Sequence, residues 1–108
     1  MEGTVITMPA VALRGLTVFP AMMIHFDINR KRSVAAVEKA MVSDQKVFLV
    51  TQRQPEVVEP GLPDLYQVGT IALVKQMVKL PGGNIRVMVE GLKRAELLDL
   101  DSEDPMLM

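Results

Sequence analysis

The chain has 108 residues, 49% of them hydrophobic, and its 12 basic and 13 acidic residues leave a net charge of −1. This length suits one compact domain and is too short for two, and the apolar content argues against disorder. The near-neutral charge provides no general attraction to nucleic acid or anionic lipid, and the lack of cysteine excludes disulfides and thiolate metal sites.

The first 25 residues are apolar enough to require a test for a signal peptide. Glu2 is acidic, no basic segment precedes the apolar stretch, and Pro9, Arg14 and Pro20 interrupt it. No uninterrupted run approaches the roughly 20 apolar residues that span a bilayer. We therefore expect a soluble cytoplasmic protein without a membrane segment.

Two strands are predicted before the helix. Residues Thr4–Leu13 are rich in β-branched side chains, and Pro9 within them indicates an edge position or a bulge. Met22–Ile28 predicts the second strand.

One helix is predicted, over about Arg30–Met41. Val34 begins a repeat of apolar side chains at i, i+3 and i+7, with alanines between them. Either Asn29 or Asp27 is suited to cap its start. Residues 30–32 are all basic and lie at the start of the helix, where the helix dipole is unfavourable for cations. We interpret them as a solvated face.

The second half of the chain predicts further strands. Lys46–Thr51 is a short apolar run typical of a buried strand, and Gln52–Asp64 is a loop rich in proline and acidic residues. The last residues, from Asp99 to Asp104, are acidic and predict a solvated terminus.

A long hairpin is predicted between these two regions. Val68–Leu80 reads as one strand whose inward parity changes near Lys75-Gln76, as a bulge or a barrel corner requires. Residues 81–84 form a turn, and Ile85 begins a half-buried strand in which Ile85, Val87 and Val89 alternate with Arg86, Met88 and Glu90. Gly91 is expected to bend the chain before a last strand over Arg94–Leu100. Five or six strands with one helix after the second predict a mainly β fold, a small β-barrel or open β-roll.

The sequence contains no recognisable catalytic arrangement. A phosphate-binding loop needs glycines followed by Lys-Ser/Thr, and the paired Gly82-Gly83 lacks them. None of the serines lies in a nucleophile elbow, and His25, the sole histidine, cannot form a zinc site alone. We expect this chain to have no catalytic residues, no metal and no bound cofactor of its own.

Four segments carry a resemblance to a known family. Residues 9–22 contain Pro-x-x-x-Leu-Arg-Gly-x-x-Val-Phe-Pro-x-Met, and residues 30–41 contain Arg-Lys-Arg-Ser-x-x-Ala-x-Glu-x-Ala-Met. Residues 64–72 read Asp-Leu-Tyr-Gln-Val-Gly-Thr-Ile-Ala, and residues 79–95 include Leu-Pro-Gly-Gly-Asn-Ile-Arg-Val-Met-Val-Glu-Gly-Leu-Lys-Arg-Ala. In this order, over about residues 5–97, they resemble the N-terminal domain of Lon proteases.

The resemblance implies both a fold and a role. It implies a PUA-like β-barrel over residues 1–108, expected to be a fragment lacking the helical segment, the AAA+ ATPase with its ATP and Mg²⁺, and the Ser–Lys peptidase. The role implied is recognition of unfolded or degron-bearing proteins, together with assembly of a homo-hexamer that degrades misfolded and regulatory proteins.

Flexible methionines provide an adaptable apolar surface for such substrates. The predicted substrate-binding residues lie in two loops or strand edges: Pro20, Met22, Met23, Met77, Leu80, Pro81 and Met88. An unpaired strand edge is a further place where an extended peptide could bind or a second copy associate.

Three other roles stay open for this sequence. One is a stand-alone PUA-like regulatory module, and another is a pure oligomerisation domain. The third is an RNA-binding barrel, against which the near-neutral charge and the 4% aromatic content count.

Overall fold

The computed structural model describes residues 6, 8–54, 56, 60–97 and 106–107. These residues form six strands and one helix. The elements in chain order are β1 (Met8–Leu13), β2 (Met23–Ile28), α1 (Lys31–Met41), β3 (Lys46–Thr51), β4 (Val68–Lys79), β5 (Ile85–Glu96) and β6 (Met106–Leu107). Short 3₁₀ turns occupy Leu62–Asp64 and Pro81–Gly83.

The strands form one sheet in the order β2-β5-β4-β3-β1-β6. β1 and β3 are parallel, and the chain between them passes through β2 and α1; the other pairs are antiparallel. The expected mainly β fold with one helix is confirmed. Over the described residues the sheet is open, because β2 and β6 are its two edges and do not pair with each other.

Both faces of the central strands are buried. Val47 and Leu49 of β3 join the larger cluster beneath α1, whereas Phe48 and Val50 belong to a second cluster with Leu65 on the opposite face. Successive side chains of a strand point to opposite faces, so the apolar run predicted for β3 is explained by burial on both sides.

The β4–β5 hairpin is the longest part of the sheet, with 12 residues in each strand. Its register shifts between Val74 and Gln76, so the bulge predicted near Lys75 is confirmed. A second shift lies between Ile71 and Ala72 and leaves Leu92 of β5 without a directly opposed residue, which the sequence did not predict.

Three sequence-based expectations need correction. The helix starts at Lys31 with Arg30 as its N-cap residue and no side-chain capping bond, so neither Asn29 nor Asp27 caps it. The separate last strand was wrong, because β5 continues through Gly91 to Glu96. β6 was missed: two residues after the acidic segment pair with β1. The predicted strand residues 4–5, 7 and 98–100 and the acidic segment 99–104 lie outside the described residues.

Candidate functional site

A tight turn precedes the edge strand β2 and positions the first group of predicted binding residues. Pro20 and Ala21 are its central residues, and Met22 N donates to Phe19 O over 3.1 Å. Ala21 has a φ of 69°, as the third position of a type II turn requires, and proline suits the second position. The Met22 side chain packs against the core.

Gly91 of β5 holds this turn against the sheet. Ala21 N donates to Gly91 O and Gly91 N donates to Met22 O, each over 2.8 Å. A Cβ atom at Gly91 would overlap the carbonyl oxygen of Phe19. Glycine is therefore needed at this position for close backbone approach, which explains why β5 is not interrupted there.

The tip of the β4–β5 hairpin holds the second group. Leu80 N donates to Asn84 O over 2.8 Å and closes the turn, which leaves Pro81 exposed and Leu80 half-buried. Met77, three residues earlier, packs against the core beneath α1. Ile85 and Gly91 are six residues apart on β5, so the tip and the turn around Pro20 are separated by roughly 20 Å along the strand.

Between these ends lies an apolar diagonal on the solvent face of β2, β5 and β4. We call it the outer stripe: Met23, Met88 and Val78. Met23 is opposite Glu90, two residues from Met88, and Val78 is opposite Arg86, two residues from Met88 on the other side. Diagonal neighbours of this kind have Cα atoms about 7–8 Å apart. Met23 is 59% exposed, Val78 is 42% exposed and Met88 is half-buried.

Two ion pairs border the outer stripe. Arg86 Nε and Nη2 donate to Asp27 Oδ1 and Oδ2 over 2.8 and 3.3 Å, and Lys75 Nζ lies 3.6 Å from Glu90 Oε1. The hydrogen bond from Arg86 holds the pKa of Asp27 below its ordinary value of 3.8. Each of these four charged side chains is paired with one of opposite sign. The methionines between the two pairs are therefore the groups that can contact an apolar ligand.

The seven predicted residues thus separate into three places. Met23 and Met88 lie together on the outer stripe, Met22 and Met77 pack against the core, and the others lie at the two ends. Val78 was not among the predicted residues because the face on which it lies depends on the bulge at Lys75. The change of inward parity near Lys75 was the sequence signal that could have identified it.

Among the described residues, no three histidine or acidic side chains come together as metal ligands would. Over the same part of the chain, no helix has the length and apolarity that crossing a membrane demands.

Comparison with known proteins identifies the class of this sheet domain. Residues 7–108 match the family model of the ATP-dependent protease La (LON) substrate-binding domain. The chain belongs to this family.

Curated relatives agree over nearly the whole chain. Lon protease of Desulforamulus reducens is 48% identical over 105 residues, covering 97% of this chain and 13% of the relative. Lon protease of Lachnoclostridium phytofermentans is 56% identical over 100 residues, covering 93% of this chain and 12% of the relative. The chain therefore spans about an eighth of the length of these relatives.

Two solved structures share the fold. The N-terminal domain of Mycobacterium avium complex Lon protease superimposes with a TM-score of 0.73 at 18% identity, covering 94% of this chain and 52% of that structure. A Lon N-terminal domain protein from Xanthomonas campestris gives a TM-score of 0.69 at 10% identity, covering 94% of this chain and 56% of that structure.

Proposed function

We propose that this chain is the substrate-binding domain of a Lon-type ATP-dependent serine protease and that it captures exposed apolar segments of unfolded or degron-bearing polypeptides on the outer stripe. The observation that carries the proposal is the exposed diagonal of Met23, Met88 and Val78 across three strands. Family membership supports the substrate-binding role.

Methionine is suited to this task because its unbranched thioether side chain adapts to many apolar partners. The stripe crosses β2, whose outer edge is unpaired in the described part of the sheet. An extended polypeptide could therefore bind its side chains to the stripe and its main chain to that edge. The flanking ion pairs would limit the contact to a narrow apolar strip.

The expected affinity of one domain is low. Burying a methionine or valine side chain completely contributes about 1.5–3 kcal/mol, and association itself costs at least about 4 kcal/mol. The three side chains of the stripe therefore give a net binding free energy of at most about 5 kcal/mol, so the dissociation constant of a single domain is roughly 0.2 mM or weaker. Several copies in one assembly would raise the apparent affinity about 10²–10⁴-fold. This is a physical reason for placing the domain in a hexamer.

The remaining activity belongs, in this proposal, to parts of the parent protein outside these residues. ATP and Mg²⁺ would bind to an ATPase module, and a Ser–Lys peptidase would cut the polypeptide, in the cytoplasm. The domain would contribute recognition and subunit assembly, without catalytic residues.

Methyl NMR of this chain, with its methionines as probes, tests the capture of unfolded polypeptide. Titration with a permanently unfolded protein should give saturable shifts at Met23 and Met88, and a folded, stable protein should give none. The M23S/M88S double variant should lose most of the affinity. Val42→Ser should keep it, because Val42 is 87% exposed just after α1, away from the stripe.

Two results would contradict the proposal. One is the absence of any saturable shift at the outer stripe, and the other is equal loss of binding in the double variant and in Val42→Ser. Either would leave assembly as the role of the domain, and sedimentation at increasing concentration would then show self-association through the β2 edge.

A further inference from the structure

A pocket of about 200 Å³ opens where the end of β1, the edge strand β2 and the first turn of α1 meet. It is lined by apolar side chains, among them Leu16, Phe26 and Ile28, and by cationic or hydroxyl-bearing ones, Arg14, Arg30 and Ser33. A water molecule takes up about 30 Å³ of liquid. The pocket therefore has room for a group the size of one amino-acid residue.

The positive charge in this pocket has no carboxylate partner in the described part of the chain. Asp27 also lines the pocket, but both of its oxygens accept hydrogen bonds from Arg86. Arg30 donates to the neutral amide oxygen of Gln52. Burial lowers the pKa of Arg30, and the nearby charge of Arg14 lowers it further. An anion placed between these two arginines would favour their charged forms and so oppose both effects.

The start of α1 adds hydrogen-bond donors to the same place. Arg30 makes no side-chain capping bond and the first turn contains no acidic residue, so the positive end of the helix has no acidic side chain of its own beside it. Ser33 is only 6% exposed, lines the pocket, and has no hydrogen-bond partner among the described residues. In that part of the chain, every fully buried side-chain nitrogen or oxygen has a hydrogen-bond partner. Because the Ser33 hydroxyl has none, its oxygen is not fully buried, and it is accessible from the pocket that Ser33 lines.

The unpaired edge of β2 leads into the pocket. Phe26, Asp27 and Ile28 belong to both, and β2 pairs with β5 on its other side only. A polypeptide added to this edge as an extra strand would therefore run with its end towards the arginines.

We propose that this pocket binds the C-terminal residue of an extended polypeptide. The β2 edge bonds its main chain, Leu16 and Phe26 contact its last, apolar side chain, and its terminal carboxylate lies among Arg14, Arg30 and Ser33 at the positive end of α1. The inference rests on the proposed function in taking polypeptide as the ligand, and it names a substrate class: chains with a free carboxylate after an apolar last residue.

An internal acidic side chain and a free small anion such as acetate share the charge but not the geometry. Only a terminal carboxylate directly follows a backbone that can pair with β2 and a side chain that can contact Leu16 and Phe26. The experiment therefore compares the sources of the same negative charge.

Fluorescence anisotropy with labelled peptides and the 108-residue chain tests this. The probe is Gly-Ser-Thr-Thr-Val-Leu with a free carboxylate, compared with its C-terminal amide, with a Leu→Gly peptide, and with an amidated peptide carrying an internal aspartate. Hydrogen bonds to charged groups are strong enough that we expect the amide to bind about tenfold more weakly. The glycine and aspartate peptides should also bind several-fold more weakly, and acetate should compete only at far higher concentration.

Variants of the chain separate the pocket from general charge. Arg14→Gln should weaken binding of the free-carboxylate peptide about tenfold and of the amide little, and Ser33→Ala should weaken the former several-fold. Lys93→Gln, an exposed position on β5, removes the same charge outside the pocket and should change binding less than twofold.

Equal affinity of the acid and amide peptides would overturn the inference, and this comparison needs no variant to fold. So would equal effects of Arg14→Gln and Lys93→Gln. Shifts at Met23 and Met88 with unfolded protein are measured separately. If these shifts are absent while the free-carboxylate peptide binds, capture on the outer stripe is wrong and the pocket proposal is supported. If the shifts occur but the free-carboxylate peptide binds no better than its amide, only the pocket proposal is wrong.

Discussion

Gly91→Ala is expected to weaken the attachment of the turn around Pro20 to the sheet. The new methyl group would overlap the carbonyl oxygen of Phe19 and lie 3.0 Å from its carbonyl carbon. These are backbone atoms, so the clash can be relieved only by moving the chain. Movement would stretch the two 2.8 Å hydrogen bonds that Gly91 makes with Ala21 and Met22.

The size of the effect follows from these two costs. Overpacking costs about 1–3 kcal/mol, and each weakened hydrogen bond contributes about 1 kcal/mol. We expect the free energy of unfolding to fall by about 3–5 kcal/mol, a large part of the roughly 5–15 kcal/mol typical of a domain. The Tm should fall by about 10 °C or more.

Urea denaturation followed by far-UV circular dichroism measures this change, with Gly83→Ala as the matched control. Gly83 has a φ of 87° and open space around it, so alanine there adds backbone strain without a clash. The control should lose about 1 kcal/mol. A loss at Gly91→Ala no larger than at Gly83→Ala would refute the close-approach argument.

Three further predictions concern the same region of the sheet. Thr70→Val removes the buried hydroxyl that donates to Val18 O over 2.6 Å, and should cost about 1–3 kcal/mol in urea denaturation because that carbonyl loses its partner; a neutral result would contradict this. Ala21→Gly should stabilise by up to about 1 kcal/mol, since glycine tolerates the φ of 69°, and any loss of stability would count against the turn. Because Arg86 lowers the pKa of Asp27, this pair stabilises the fold above the unfolded pKa and ceases to do so as pH falls through the folded pKa. Asp27→Asn should therefore flatten the stability profile below pH 3.8, and an unchanged profile would show that the pair contributes nothing.

Much of the candidate site could be predicted from local sequence patterns. The alternation after Ile85 predicted a half-buried strand, and Ile85, Val87 and Val89 are all buried. The same alternation placed Met88 on the outer side. Pro20 was expected only in a loop or at a strand edge, and the type II turn in which it lies was not predicted.

The capping of α1 and the course of β5 could not be predicted in the same way. Asn29 and Asp27 are good capping residues in isolation, but Asp27 points its carboxylate to Arg86 across the sheet. Gly91 suggests a break to any local rule, yet the approach of Phe19, 72 positions earlier in the chain, makes glycine suitable inside a continuous strand.

By itself the sequence determined the mainly β class, the helix, the long hairpin and the family, because side-chain period, turn residues and motif order are properties of neighbouring residues. Only the tertiary structure decided that Met22 and Met77 pack against the core and that Arg14, Arg30 and Ser33 share a pocket. The physical reason is that side-chain direction in a sheet depends on register, and a single bulged residue reverses it. The pocket requires β1, β2 and α1 to meet, a contact between segments that no local pattern encodes.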